Sequence, residues 1–75
     1  MKKRYGVYGV CFKMWRGYIN FSQKPEFSSD SLEDAISYIK EIFKNKNEYM
    51  YDDDGLIIVD YFKESVICEY KKDDF

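Results

Sequence analysis

The sequence predicts an α+β fold: a mainly antiparallel four-stranded sheet packed on one face by a single helix, in the order β-β-α-β-β. One reason is a run of apolar residues at helical spacing between Leu32 and Phe43. The other is that short segments rich in β-branched and aromatic residues precede and follow this run. With 75 residues the chain has room for one domain, expected over residues 1–75 with a frayed tail at about 71–75.

The N-terminal third predicts a β-hairpin. Residues 4–14 are dominated by β-branched and aromatic side chains, which favours a long first strand. Residues 15–17 end in glycine and predict a tight connection into a second strand over residues 18–22. Residues 23–29, which include the chain's single proline, are expected to form a loop that leads into the helix.

The helix is predicted from its ends as well as from its periodicity. Ser31 is a suitable N-cap, and Asp34 three residues later forms a variant of the capping box. Asn45 or Asn47 suits the left-handed residue that ends many helices, which gives a helix of about fourteen residues. Only one side of this helix is apolar, so it is expected to cover one face of the sheet.

The C-terminal third predicts a second pair of strands. Residues 48–51 are compatible with an extended segment, and residues 52–55 predict a turn. Residues 56–62 form the most apolar predicted strand. Residues 63–65 are then expected to reverse the chain into a last strand over residues 66–70.

Polar residues inside the predicted strands indicate which side chains face solvent, because successive side chains of a strand point to opposite faces. The outward face is marked by Lys13, Asn20, Asp60 and Glu69. The apolar residues predicted on that face are Tyr5, Val7, Cys11, Tyr18, Leu56, Ile58, Phe62 and Ile67. Those predicted to face the helix are Tyr8, Val10, Phe12, Ile19, Phe21, Ile57, Val59, Tyr61, Val66 and Cys68.

Because one helix covers one face, the sequence predicts an apolar face that is left uncovered. Such a face on a small protein is typical of a site that meets another chain. One alternative is that the sheet curls or that the loops at Trp15 and Asp52 fold over this face. Another route to association is pairing through a free edge of the sheet.

The amino-acid composition favours a binding protein over an enzyme. The chain has 8 Tyr, 6 Phe and 1 Trp, and tyrosine suits a surface because its ring is apolar and its hydroxyl is polar. Residues 1–26 carry 6 basic and 1 acidic side chains, whereas residues 27–75 carry 6 basic and 13 acidic ones. This asymmetry is typical of oppositely charged partner-binding ends, and equally of an ordinary solvated surface.

Several kinds of site are excluded or disfavoured by residue types and spacing. The chain has no histidine, and Cys11 and Cys68 lack the spacing of a zinc site, so no metal and no cofactor are expected. The acidic run at residues 52–54 fails as a calcium loop because residues 50 and 61 are not carboxylates. A catalytic motif, a secretory signal and a membrane-length apolar run are missing, so we expect a cytoplasmic protein that is not an enzyme and has no membrane partner.

The predicted function is therefore a protein-interaction module that binds a protein partner, itself as a homodimer, or both. The predicted partner-binding residues are Tyr5, Val7, Trp15, Arg16, Tyr18, Ile58, Phe62 and Ile67. A predicted acidic surface, which would either mimic nucleic acid or only aid solubility, comprises Asp52, Asp53, Asp54, Asp60, Glu64 and Glu69.

Two alternatives stay open. The basic and aromatic residues of the first hairpin predict a protein that binds single-stranded nucleic acid. A structural homo-oligomer is the other alternative. In size and composition, and in no motif, the chain resembles the small inhibitors that phages and mobile elements make against host defence enzymes, anti-CRISPR proteins among them. That resemblance implies an inhibitor of a host enzyme or defence complex and transfers no role to any residue.

Overall fold

In the computed structural model, residues 3–17, 23–46, 54–71 and 74 are described. They form one four-stranded antiparallel sheet and one helix that packs on it, which confirms the predicted α+β class and the predicted order of elements. The elements are β1 (Tyr5–Cys11), β2 (Phe27–Ser29), α1 (Leu32–Lys46), β3 (Asp54–Asp60) and β4 (Ser65–Lys71). In the sheet the order is β2-β1-β3-β4, so β1 and β3 are central and β2 and β4 lie at the edges.

The strand at Phe27–Ser29 lies where the sequence predicts a loop. The predicted strand at residues 18–22 falls outside the described residues, and β2 lies within the predicted loop at residues 23–29. A strand of three residues is too short to show a clear alternation of apolar and polar side chains. The strand conformation of β2 therefore depends on contacts with other parts of the chain. Val7 pairs with Phe27 across the strands, and the Phe27 ring stacks on Tyr38 of α1 with centroids 4.6 Å apart.

Local hydrogen bonds set the other strand ends. β1 ends at Cys11, not at residue 14, because the Cys11 carbonyl accepts from the backbone amides of Met14 and Trp15. β3 begins at Asp54, inside the predicted turn, because Asp54 and Gly55 pair with the end of β1. It ends at Asp60, where a turn over residues 61–64 leads into β4.

The predicted N-cap of the helix is confirmed, but one of its hydrogen bonds differs from the predicted capping box. The Ser31 hydroxyl oxygen accepts a hydrogen bond from the backbone amide of Asp34 at 3.3 Å. In a capping box the Asp34 carboxylate would accept from the Ser31 amide. Here the Ser31 amide donates to Ser29 Oγ at 3.0 Å, and the Ser29 hydroxyl donates to Asp34 Oδ2 at 3.4 Å. β2 therefore ends on a residue that also completes the cap of α1.

Both faces of the sheet carry buried apolar side chains. On the helix side, buried side chains of β1 and β3 pack with those of α1; this cluster is Val7, Leu56, Ile58, Ala35, Ile39 and Phe43. On the other side, Tyr8, Ile57 and Val59 are each at most 1% exposed. The half-buried residues that pack on them are Val10, Phe12, Trp15, Tyr61 and Val66.

The predicted assignment of faces is wrong for β1 and β3. Val7 and Ile58, predicted outward, pack against α1, whereas Tyr8 and Ile57, predicted to face the helix, lie on the opposite side. For β3 the error comes from Asp60, whose charge predicts a solvent-facing side chain, and for β1 it comes from Lys13, which lies beyond the end of the strand at Cys11. Asp60 is 1% exposed because it pairs with an arginine, so it marks a buried face.

A β-bulge adds a second error in β4. Ile58 pairs with Cys68, but Val59 pairs with Val66, so Ile67 is an extra residue in β4. Val66 and Cys68, predicted to share a face, therefore belong to different clusters.

The expectation of an uncovered apolar face is wrong among the described residues. Phe12 and Trp15, from the segment that follows β1, pack on the side of the sheet away from α1. The alternative in which the Trp15 loop folds over that face agrees with the structure, while the Asp52 loop lies outside the described residues.

Candidate protein-binding surface

Arg4 and Asp60 form an ion pair at the start of β1. Arg4 Nε donates to both oxygens of the Asp60 carboxylate, at 3.3 and 3.4 Å, and Nη2 donates to Oδ2 at 3.2 Å. The pairing of Tyr5 with Asp60 across β1 and β3 brings the two charges together. Forked contacts of this kind fix the orientation of a guanidinium group.

The surroundings keep both groups charged. Burial tends to raise the pKa of Asp60, but hydrogen bonds from Arg4 and from the Phe62 amide, together with the positive charge, lower that pKa below the ordinary value of 3.8. The hydrogen bond to Asp60 raises the pKa of Arg4, and this outweighs the opposing effect of burial. The pair is therefore ionised at neutral pH.

Two aromatic rings lie against the Arg4 guanidinium. Its central carbon is 5.2 Å from the centroid of the Tyr5 ring and 5.1 Å from that of the Phe62 ring. Both distances are within the range of cation–π attraction. The Phe62 side chain is 74% exposed, so one large apolar ring stands in solvent against a fixed cation.

The backbone of Phe62 is fixed as well. Its amide donates to Asp60 Oδ1 at 2.9 Å, an Asx turn that begins the β3–β4 connection. The Lys63 amide donates to the Asp60 carbonyl at 3.2 Å. Asp60 therefore positions the Phe62 backbone directly, through the hydrogen bond to the Phe62 amide. It positions the Phe62 ring indirectly, because it orients the Arg4 guanidinium that lies against that ring. Arg4, Tyr5 and Phe62 are called the Phe62 surface below.

Arg4 also joins this surface to the rest of the fold. Its amide donates to Asp30 Oδ1 at 3.0 Å, just before α1, and its carbonyl accepts from the Tyr61 amide at 2.8 Å. An exposed ion pair between Lys3 and Asp30, at 3.6 Å, lies beside the first of these bonds. The Phe62 surface is thus tied to β1, to the β3–β4 turn and to the start of the helix.

The predicted partner-binding residues separate into exposed and buried groups. Phe62, in the β3–β4 turn, and Ile67, at the bulge of β4, are exposed, and Arg16 is exposed in the segment after β1. Tyr5 is half-buried, and so is Trp15, whose ring packs edge-on against Phe12. The remaining three are Val7 and Ile58, both fully buried under α1, and Tyr18, which lies outside the described residues.

The predicted acidic surface loses one member. Asp60 is buried in its pair with Arg4, so it offers no charge to a partner. Glu64 and Glu69 are exposed and Asp54 is half-buried. Asp52 and Asp53 lie outside the described residues.

Sequence reasoning left Arg4 out of the predicted protein-binding site and misjudged Asp60. The burial of Asp60 could have been predicted, because this residue lies inside the most apolar predicted strand. A charged residue in such a strand usually needs a partner of opposite charge. Met14, which is 74% exposed, was also not singled out.

Among the described residues, no three acidic or cysteine side chains are grouped so that they could hold a metal ion. No helix in this part of the chain has the length and apolar character needed to cross a membrane.

Comparison of the chain with protein-family models, with curated proteins and with solved structures finds no match. Its function is therefore inferred from its own geometry.

Proposed function

We propose that this chain is a non-enzymatic protein-interaction module that binds its partner through the Phe62 surface. The observation that supports this most is that Phe62 is 74% exposed and yet held at its ring and its backbone amide. A side chain ordered before binding avoids much of the entropy loss of association, about 0.5–1.5 kcal/mol for a flexible side chain.

The residue types of the Phe62 surface also suit binding. Aromatic residues and arginine are enriched at protein interfaces, and a few such residues usually dominate the binding energy. The Arg4 charge is already compensated by Asp60, so covering it with a partner does not leave a new unpaired charge. An apolar pocket on a folded protein is the complement of the Phe62 ring.

The narrower proposal is that the partner is a host enzyme or defence complex, which the chain would inhibit. The support for this is the resemblance in size and composition to small phage and mobile-element inhibitors. The exposed carboxylates of Glu64 and Glu69 are compatible with a basic partner surface.

Binding of single-stranded nucleic acid has less support. Arg4 is engaged by Asp60, Tyr8 is 1% exposed, and the Trp15 ring packs against Phe12. Base stacking needs aromatic faces that are open to solvent.

The test compares wild type with Phe62→Ala and with Met14→Ala, whose side chain is equally exposed at 74%. Each purified protein is used to capture proteins from a lysate of the host cell, and light scattering gives its oligomeric state. We expect wild type and Met14→Ala to retain one stoichiometric partner, or to form a dimer, and Phe62→Ala to lose it while staying folded. Equal behaviour of the two variants, or a wild-type monomer that retains nothing, would contradict the proposal.

A further inference from the structure

β4 is the longer edge of the sheet that the described residues form. In the order β2-β1-β3-β4 the edge strands are β2, with 3 residues, and β4, with 7. An edge strand directs the backbone groups of alternate residues away from its neighbour, and these groups can pair with a strand of another chain. Because β2 is short, β4 is the edge better suited to accept a further strand.

Two residues near the end of β4 direct their backbone groups outward. The Lys71 amide donates to Asp74 Oδ2 at 2.6 Å, and the Lys71 carbonyl accepts from the Asp74 amide at 3.0 Å. These groups therefore point away from Gly55, which lies opposite Lys71 in β3. The pattern repeats at every second residue of an antiparallel pair, so Glu69 also directs its amide and carbonyl outward. Neither of these Glu69 groups has a partner among the described residues.

The bulge of β4 limits the surface that is available for pairing. Ile67 is the extra residue of this strand, and an extra residue disrupts the regular ladder. Bulges are one of the features that keep edge strands from pairing with other chains. Within β4, a regular antiparallel partner therefore bonds to Glu69 and Lys71. Asp74 occupies the backbone of Lys71, so this pairing surface is closed in the structure.

Charge favours a second copy of this chain as the partner strand. A two-fold antiparallel pair can place Glu69 opposite itself, Lys71 opposite itself, or Glu69 opposite Lys71. The first two arrangements bring like charges together, whereas the third forms an ion pair in each half of the dimer. Both side chains are exposed, and residues two apart in a strand lie on the same face. In the third arrangement Glu69 and Lys71 of the second copy also exchange both backbone hydrogen bonds.

We propose that β4 pairs antiparallel with β4 of a second copy, with Glu69 opposite Lys71, and that Asp74 prevents this pairing by occupying the Lys71 backbone. Because the cap belongs to the same chain, it has the advantage over a second copy at low protein concentration. Dimers through β4 form when the cap is removed. Phe62 precedes β4 and lies at the opposite end of the strand from Lys71, so this proposal does not rest on the Phe62 surface.

The test measures self-association by sedimentation equilibrium in a Phe62→Ala background, which removes any dimer formed through the Phe62 surface. Asp74→Ala should raise the association constant by about tenfold or more, because the Lys71 backbone becomes available for pairing. Asp74→Asn keeps a side-chain oxygen that accepts from the Lys71 amide and should leave the association constant near that of the parent. Glu41→Ala removes an exposed carboxylate from α1, is the control for net charge, and should have no effect.

Charge reversals identify the register. In the Asp74→Ala chain, Glu69→Lys alone or Lys71→Glu alone places like charges opposite each other and should abolish the dimer. The two reversals together restore opposite charges and should restore the dimer. A dimer that tolerates a single reversal, or that the double reversal does not restore, overturns the proposal.

Hydrogen exchange tests the cap itself. At low protein concentration the Lys71 amide should exchange more slowly than the Glu69 amide, and Asp74→Ala should remove that difference. The proposal is overturned by equal exchange of the Lys71 amide with and without Asp74. It is also overturned if the Asp74→Ala chain associates no more strongly than the Glu41→Ala control.

Discussion

The Tyr61 ring lies across Gly6 of the neighbouring strand. A Cβ atom built on Gly6 would lie 2.8 Å from Tyr61 Cζ and closer still to the hydroxyl oxygen. The Tyr8 hydroxyl donates to the Gln23 carbonyl at 3.1 Å, so the Tyr61 hydroxyl must be the donor to Tyr8. The missing side chain of Gly6 therefore makes room for a hydrogen-bonded chain that connects β1, the β3–β4 turn and the segment before β2.

Gly6→Ala should lower the free energy of unfolding by about 1–3 kcal/mol, because the Tyr61 ring has to move. Urea denaturation measures this loss. Gly9→Ala, on the same strand, is the control, since its methyl group meets mainly the mobile end of the Glu26 side chain. Its loss should be at most about 1 kcal/mol. Equal losses at the two positions would show that Tyr61 does not depend on Gly6.

Asp60→Asn should remove part of the acid sensitivity of stability. The pKa of Asp60 is lower in the folded protein than the ordinary 3.8, so the unfolded chain takes up its proton first as the pH falls. The stabilisation from this carboxylate is thus fully present above about pH 5 and is lost as the pH falls through the lowered pKa. The asparagine variant can still accept from the Phe62 amide but leaves Arg4 without its counter-ion.

Urea midpoints of wild type and Asp60→Asn between pH 7 and about pH 2 check this prediction. The difference between them should be largest at neutral pH and should shrink in acid. A difference that stays constant over the whole range would mean that the Asp60 charge contributes nothing to folding.

Glu64→Asn should stabilise the protein. Glu64 has a φ of 51°, in the left-handed region, where a residue with a long side chain is disfavoured by about 1–2 kcal/mol and asparagine is tolerated better. Thermal unfolding should show a gain of up to about 1 kcal/mol. Glu69→Asn, a change of the same kind in β4, should give no gain, because asparagine is unfavourable in strands. A gain at position 69 and none at position 64 would contradict the strain at Glu64.

Ser31→Ala should destabilise the protein by about 1 kcal/mol, because the Asp34 amide loses its acceptor at the start of α1. Ser37→Ala, in the exposed middle of the same helix, is the control and should be neutral or slightly stabilising. Urea denaturation of both variants separates loss of the cap from the general effect of replacing serine by alanine. Similar effects of the two changes would mean that the cap is not formed in solution.

The helix and the fold class could be predicted because their signals are local. The spacing of apolar residues from Leu32 to Phe43 and the cap at Ser31 depend on neighbours within a few residues. β2 could not be predicted, since its strand conformation rests on pairing with β1 and on stacking of Phe27 against Tyr38. Such contacts join residues that are distant in the sequence.

The predicted faces of β3 are reversed for a similar reason. A charged residue in a strand usually marks solvent, but Asp60 is buried because Arg4, 56 residues earlier, neutralises it. The bulge at Ile67 then shifts the alternation of β4 in a way that its sequence does not reveal. The same long-range pair created the Phe62 surface, so Tyr5 and Phe62 could be predicted as members of the candidate site, whereas Arg4 could not.

The most direct test of the proposed function is the affinity of the captured partner, or of the dimer, for Phe62→Ala compared with Met14→Ala. Calorimetric titration should show a loss of at least about 30-fold for Phe62→Ala, which corresponds to a binding hot spot of about 2 kcal/mol. Met14→Ala should change the affinity by less than about threefold. Equal affinities in two folded variants would contradict binding through the Phe62 surface.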